Sequence, residues 1–131
     1  MKNEEHRLQA QCVKYFRLRY PRLKMLLFAV PNGAFLNGTQ LQRIKQWNKL
    51  QAEGVVKGVS DLLLLVSRGK TNGLCIEMKT TAKHSKQSKE QKAFQDAVTV
   101  QNYHYLIIRS FDEFKTIIDS YIEKGEIKTS K

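Results

Sequence analysis

Proline and cysteine are scarce in this chain, with two of each among 131 residues. Cys12 and Cys75 lie far apart and form no CxxC, which excludes a disulfide-framed secreted scaffold and a thiolate metal site. Both fall in apolar-patterned segments, where cysteine behaves as a small buried hydrophobe of a reducing compartment. No apolar run approaches the roughly 20 residues that cross a bilayer. The N-terminus MKNEEHRLQ is too charged for the apolar region of a signal peptide. Repeats, low-complexity tracts and linkers are also missing. These absences point to one domain over residues 1–131, with a core over 5–122 and a basic tail over 123–131, in a soluble cytoplasmic protein with no membrane partner. Acid is in deficit as well: 12 Asp and Glu against 23 Lys and Arg give a net charge of +11. A surplus of that size on so small a domain attracts a polyanion or an acidic membrane surface; charge alone does not choose, although nucleic acid is the commoner partner of a basic globular domain.

Other chemistries find no support. Gly54 and Gly58 are not spaced as a Walker loop, so no nucleotide cofactor is expected. Ser60 and Ser110 lack a nucleophile elbow. His6, His84 and His104 have no mutual metal-ligand spacing.

What is present reads as alternating helices and strands. Leu8, Cys12, Tyr15 and Phe16 recur at helical period over 4–20, and Pro21 ends that helix. The apolar run 25–30, bounded by Pro31, Asn32 and Gly33, suits a buried strand. A second helix over 40–53 carries Leu41, Ile44, Trp47 and Leu50 near one face, with Gly54 as a left-handed stop. Residues 61–66 and 74–79 read as a strand pair joined through Arg68, Lys70 and Asn72–Gly73. Ser88 and Gln91 have capping-box spacing and open a helix to about residue 101. A fourth strand over 103–108 precedes a final helix capped by Ser110 and Glu113, with Phe114, Ile117, Ile118 and Tyr121 as its buried stripe. The order is α-β-α-β-β-α-β-α.

Two of these strands carry charge where burial normally excludes it. Side chains alternate along a strand, so Glu77 and Lys79 share a face. In a hairpin, the residue entering the first strand meets those leaving the second, which brings Asp61 beside Glu77 and Lys79. Two carboxylates and an ammonium in a half-buried corner are costly unless a partner offsets them. A hard divalent cation suits carboxylate oxygens, and the Met78 carbonyl adds another oxygen. Lys79 can orient or help deprotonate a water, or balance charge on a phosphate, so the constellation suits phosphodiester hydrolysis. Glu5 lies on the inward stripe of the first helix, either as a helix-dipole partner or as a further member of this corner. Gln91 is explained by capping or by the site. Lys83, Lys86 and Lys89, with Arg68 and Lys70, are candidates for contacting DNA phosphates beside the metal, against the plainer reading of a solvated loop.

Taken in order, Glu5 with Gln9, then Pro31–Asn32–Gly33, Gly58–Val59–Ser60–Asp61, Glu77–Met78–Lys79 and Ser88–Lys89–Glu90–Gln91 resemble the VRR-NUC branch of the PD-(D/E)xK nucleases. The resemblance covers about residues 5–114. It departs from the pattern at Ser60 and Lys89, where proline is usual, and in the extra helix-like segment 37–53. The resemblance implies a restriction-endonuclease-like α/β core, a small mixed four-stranded sheet flanked by helices. It implies that Asp61, Glu77 and the Met78 carbonyl bind Mg²⁺, with Mn²⁺ able to substitute. Glu5 would contact the metal or its water, Lys79 would be catalytic, and Gln91 would support the site. The function implied is a structure-selective DNA endonuclease resembling Holliday-junction resolvases and working on branched DNA as a homodimer. The alternatives are a flap-directed or restriction-like nuclease, or a non-catalytic DNA-binding domain that keeps the fold.

Overall fold

Acid at its start and base at its end suit the first helix to its own dipole. The computed structural model describes residues 2–31, 36–79 and 86–128. In it α1 spans Lys2–Arg19, with Glu4 and Glu5 in the first turn and Arg17 and Arg19 in the last. Cys12 and Phe16 are fully buried, and Leu8, Val13 and Tyr15 pack partly against the same core.

The strand expected over 25–30 starts later. Pro21, whose fixed φ is pre-organised for a first helical turn, opens a 3-10 segment, Pro21–Leu26. That segment takes up Met25 and leaves it 84% exposed. Only Leu27–Ala29 form β1. The expected Pro31–Asn32–Gly33 turn lies partly outside the described residues.

α2, Gln40–Ala52, is held at its start by a complete capping box between Thr39 and Gln42. Gln46 locks the preceding loop through both its amide atoms on the Asn37 backbone. No residue of α2 is buried, and Leu41 and Ile44 stand exposed. Its apolar stripe therefore forms no part of this chain's core.

β2, Leu62–Leu64, and β3, Gly73–Met78, form the expected hairpin. β2 is shorter than the 61–66 run because the residue facing Leu65, Leu26, already belongs to the 3-10 segment. The Leu65 N–H donates to Leu26, and the Val66 carbonyl accepts the buried Tyr121 hydroxyl at 2.5 Å. α3, Lys89–Thr99, crosses from β3 to β4, Tyr103–Ile108, and α4, Phe111–Lys124, closes the chain. Ser110 caps α4, while the Glu113 carboxylate accepts the Arg109 N–H instead of completing a capping box.

The sheet order is β1-β2-β3-β4, antiparallel except for the β3–β4 pair, which is parallel as the α3 crossover requires. One face, carrying Leu62, Leu64, Ile76, Met78, Leu106 and Ile108, packs on α1 and on Phe114, Ile117, Ile118 and Tyr121 of α4. Asp119 of α4 ties that pair of helices by accepting both the Tyr15 and Tyr20 hydroxyls. The other face carries Cys75, Glu77 and Tyr105, the last in ring contact with Phe94 of α3. Both thiols are buried and free, and burial pushes Cys75 up to about 11 and Cys12 up to about 12, as inert packing groups.

The segment entering β2 is fixed against α3 by one glycine. Gly58 has φ +95°, and a Cβ there would meet the Glu90 backbone carbon at 2.5 Å. Gly58→Ala is expected to lose at least 1–2 kcal/mol from the left-handed conformation alone, with the clash adding to it. Urea denaturation against the parent measures this; an unchanged midpoint would mean that the approach of this segment to α3 is not required.

Candidate active site

The hairpin register sets the site. Leu62 pairs with Ile76, so the residue before Leu62 falls opposite the one after Ile76, and Asp61 meets Glu77. Asp61 is fixed there by its own carboxylate: Oδ2 accepts the Met78 backbone N–H at 2.7 Å. Ser60, fully buried, donates its hydroxyl to the Leu62 carbonyl at 3.2 Å. This side-chain bond to the backbone two residues on restrains the chain just before Asp61.

Glu77 is 3% exposed. Its Oε2 accepts the Gln91 side-chain N–H at 2.8 Å, and its Oε1 faces the Tyr105 hydroxyl at 3.4 Å. The Gln91 amide cannot turn over. Its Oε1 accepts the Ser88 backbone N–H at 2.8 Å in the α3 capping box and the Lys79 ammonium at 3.3 Å, which leaves Nε2 for Glu77. Capping and site contact are thus one arrangement rather than alternatives. Lys79 donates a second bond to the Lys86 carbonyl, also at 3.3 Å.

Electrostatics follow from crowding two acids out of water. Burial, and then the adjacent Asp61 charge, push the Glu77 carboxyl up to about 8, with Lys79 pulling the other way. Asp61 is raised too, by burial first and by the Glu5 charge, while the Met78 N–H opposes the shift. Glu5 is therefore a charge neighbour of Asp61. Among the described residues, however, no three His, Cys, Asp or Glu side chains close into one metal-holding group. The donor set of the corner is a carboxylate pair with the Met78 carbonyl beside it. All are hard oxygen donors, and Mg²⁺ is commonly bound through one or two carboxylates with water and phosphate completing its shell, so the residues present fit it.

The structure thus brings Asp61, Glu77, Met78, Lys79 and Gln91 together, with Glu5 at their edge. Lys86 and Lys89 stand exposed beside them, on the approach to α3 and in its first turn. Lys83 lies outside the described residues. Arg68 and Lys70 do not join the group, which corrects the expectation that they neutralise phosphates near the metal. A hairpin's connection lies at the opposite end from its free strand ends, and four residues of β3 put about 13 Å between Gly73 and Glu77. Arg68 is engaged there, donating to the Ile122 and Ser67 carbonyls. Two features escaped the sequence reading. Tyr105 shares the Glu77 face of the sheet, a signal present in the alternation of the fourth strand. The contact of Gly58 with α3 is a tertiary approach that the local sequence does not carry.

No family model matches the chain, and no curated protein matches it. A solved structure, a VRR_NUC domain protein, superposes with a TM-score of 0.73 at 21% identity, covering 97% of this chain and 95% of that one. The chain has the VRR-NUC fold.

The raised Glu77 carboxyl gives the metal-free protein a definite pH response. The folded state keeps a proton that the unfolded chain releases near 4.5, so this contribution to stability is complete below that value and is lost as pH rises through about 8. The melting temperature in chelator is expected to fall between these limits, and Glu77→Gln to flatten the fall. Mg²⁺ or Mn²⁺ should raise the melting temperature more at the upper end of the range, where no proton need be displaced. Thermal denaturation of the two proteins across pH measures it; parallel curves would contradict the burial of this acid.

Proposed function

We propose that this VRR-NUC-fold chain is a divalent-metal-dependent DNA endonuclease selective for branched structures. The observation that carries the reading is the convergence of Asp61, Glu77 and Lys79 at one end of a buried strand pair, braced by Gln91, on a strongly basic domain. Mg²⁺, or Mn²⁺ in its place, would be held by Asp61, Glu77 and the Met78 carbonyl. Such an ion supplies neutralisation of the scissile phosphate and acidifies water. The chain's own residues do the remaining work. Glu5 orients water at the edge of the pair. Lys79, steered by the Gln91 and Lys86 oxygens, positions the attacking water and offsets charge that develops on the phosphate. Gln91 and Tyr105 hold Glu77 in one orientation. Lys83, Lys86 and Lys89 meet the flanking phosphates.

We further propose that the active species is a two-fold homodimer that cuts four-way junctions on opposing strands. One subunit carries one acidic corner, and an isologous dimer supplies two in the symmetry of the junction. The exposed Leu41 and Ile44 of α2, with the half-buried Trp47, offer an apolar surface for the contact.

Purified protein assayed on duplex, flap and junction DNA tests the reading. Cleavage is expected to require Mg²⁺ or Mn²⁺. Asp61→Asn, Glu77→Ala and Lys79→Ala should each lower the rate by at least 100-fold while DNA binding persists. Three variants cutting at the parent rate would overturn the site. A parent that binds DNA but never cuts would favour a binding domain, and a monomer that releases only single-stranded flaps would favour a flap nuclease.

A separate outcome concerns the lysines. Changing Lys83, Lys86 and Lys89 together to Gln is expected to weaken binding to all sequences alike and to reduce the slope of log affinity against log salt by about 3. Anisotropy titrations at several salt concentrations measure the slope; one equal to the parent's would move the DNA surface elsewhere.

A further inference from the structure

Along their outer margin α1 and the edge strand β1 leave a groove of about 580 Å³. Val13 and Leu18 of α1 line it with Ala29, and its charged groups are Lys14 and Arg17, with His6 at one end. Among the described residues no carboxylate lines it. From His6 to Leu18 the helix rises about 18 Å, the span of about five residues of strand.

The hydrogen-bond parity of β1 decides what this groove can hold. The Val30 N–H donates to the Asp61 carbonyl and the Leu65 N–H to the Leu26 carbonyl, so residues 26, 28 and 30 turn their backbone groups toward β2. Ala29 therefore points its N–H and carbonyl to the open edge, and Leu27 its carbonyl. Among the described residues nothing bonds to these three groups. Side chains alternate across the same strand. Leu27 and Ala29 share the face of Leu62 and Leu64, on which α1 lies, and Phe28 shares the opposite face with Leu63. Phe28 and Ala29 are both exposed, and β1 carries neither charge nor proline, two of the devices that blunt an edge.

We propose that β1 is a docking edge for an extended acidic segment of a partner protein, added as a further strand of the sheet. Its backbone pairs with Ala29 and Leu27. Its residues facing α1 carry carboxylates to Lys14 and Arg17 with their stems over Val13, and the residues between them are apolar and lie beside Phe28. DNA suits the groove less, because its backbone offers acceptors only and leaves the two carbonyls and the apolar lining unmatched. A second copy paired through its own β1 would set the cations of one α1 against those of the other. The proposal does not depend on cleavage. It places the partner next to the acidic corner, since Val30, just past β1, is bonded to Asp61.

A fluorescein-labelled peptide of four Glu-Val repeats, titrated with the protein by anisotropy at physiological salt, tests it. The parent is expected to bind this peptide about tenfold more tightly than its block isomer, four Glu before four Val, or than the same repeats methylated on every backbone amide. Neither control changes the charge, so equal binding of all three would be general attraction to a basic domain and would overturn the proposal. Ala29→Pro removes the outward N–H without touching the β2 ladder; it should weaken binding about tenfold and melt near the parent. Lys14→Gln with Arg17→Gln should weaken it by a similar factor. If Ala29→Pro unfolds, the methylated peptide on the parent decides alone. Undiminished binding by a folded Ala29→Pro overturns the proposal. So does a parent dimer that dissociates in Ala29→Pro and never binds the peptide, which would give the edge to a second copy. A Lys14→Gln, Arg17→Gln protein that loses duplex affinity but keeps the peptide would give the groove to DNA, and the proposal would fall.

Discussion

Everything at the acidic corner depends on how Glu77 is buried. A carboxylate at the end of a strand with no water around it must be hydrogen-bonded or protonated. Gln91 is the group that meets this demand, donating to Oε2 at 2.8 Å. That amide is useful because it is itself immobile, since its oxygen completes the capping box of α3 and accepts Lys79. The start of α3, the end of β3 and Lys79 are therefore joined through one side chain. Gly58 extends the same linkage to the segment before Asp61, because only a residue without a Cβ lets that segment lie against the Glu90 backbone. Local rules of helix capping and turn geometry thus become rules for placing two acids.

Most of the architecture was legible in the sequence because it rests on period and punctuation. The fourth strand, Tyr103–Ile108, and the buried stripe of α4 follow from alternation and from the Ser110 cap. The pairing of Asp61 with Glu77 was legible for a similar reason: a hairpin's register turns sequence offset into proximity. What was not legible depended on competition between neighbours. Leu26 and Met25 look like strand residues in isolation, but Pro21 commits the chain to a 3-10 segment that reaches them. Arg68 looks like a free cation, but α4 ends close enough for its guanidinium to reach the Ile122 carbonyl. Gln91 looked like a residue with two competing explanations, and only the three-dimensional arrangement makes them one.

α2 shows how the core accommodates extra structure without disturbing the corner. It is inserted between β1 and β2, whose ends are already pinned by the Val30 N–H bond to Asp61 and by the Ala29–Leu62 pair. The insertion therefore costs the sheet nothing, and loop-closure entropy grows only slowly with length. The helix carries its own caps, so it needs no packing from the core to hold its first turn. Its exposed apolar residues are then free to serve a contact with another molecule, which buried core residues cannot do.

The position of Lys79 is unlike that of a cation in a merely structural ion pair. An acid buried for structural reasons is best neutralised by a cation bonded to it directly. Lys79 is near enough to lower the carboxyl of Glu77, but its ammonium is bonded to two neutral oxygens, those of Gln91 and Lys86. Its charge is held beside the acids without being consumed by them. The two carboxyls face one another instead, Glu77 raised by burial and by Asp61, and Asp61 raised by burial and by Glu5. Such a pair is at its least favourable alone and above about pH 8, where a second negative charge must form in a desolvated space. Under the proposed function, a divalent cation would remove that penalty and leave the ammonium available for a phosphate, the division of labour that phosphodiester hydrolysis requires.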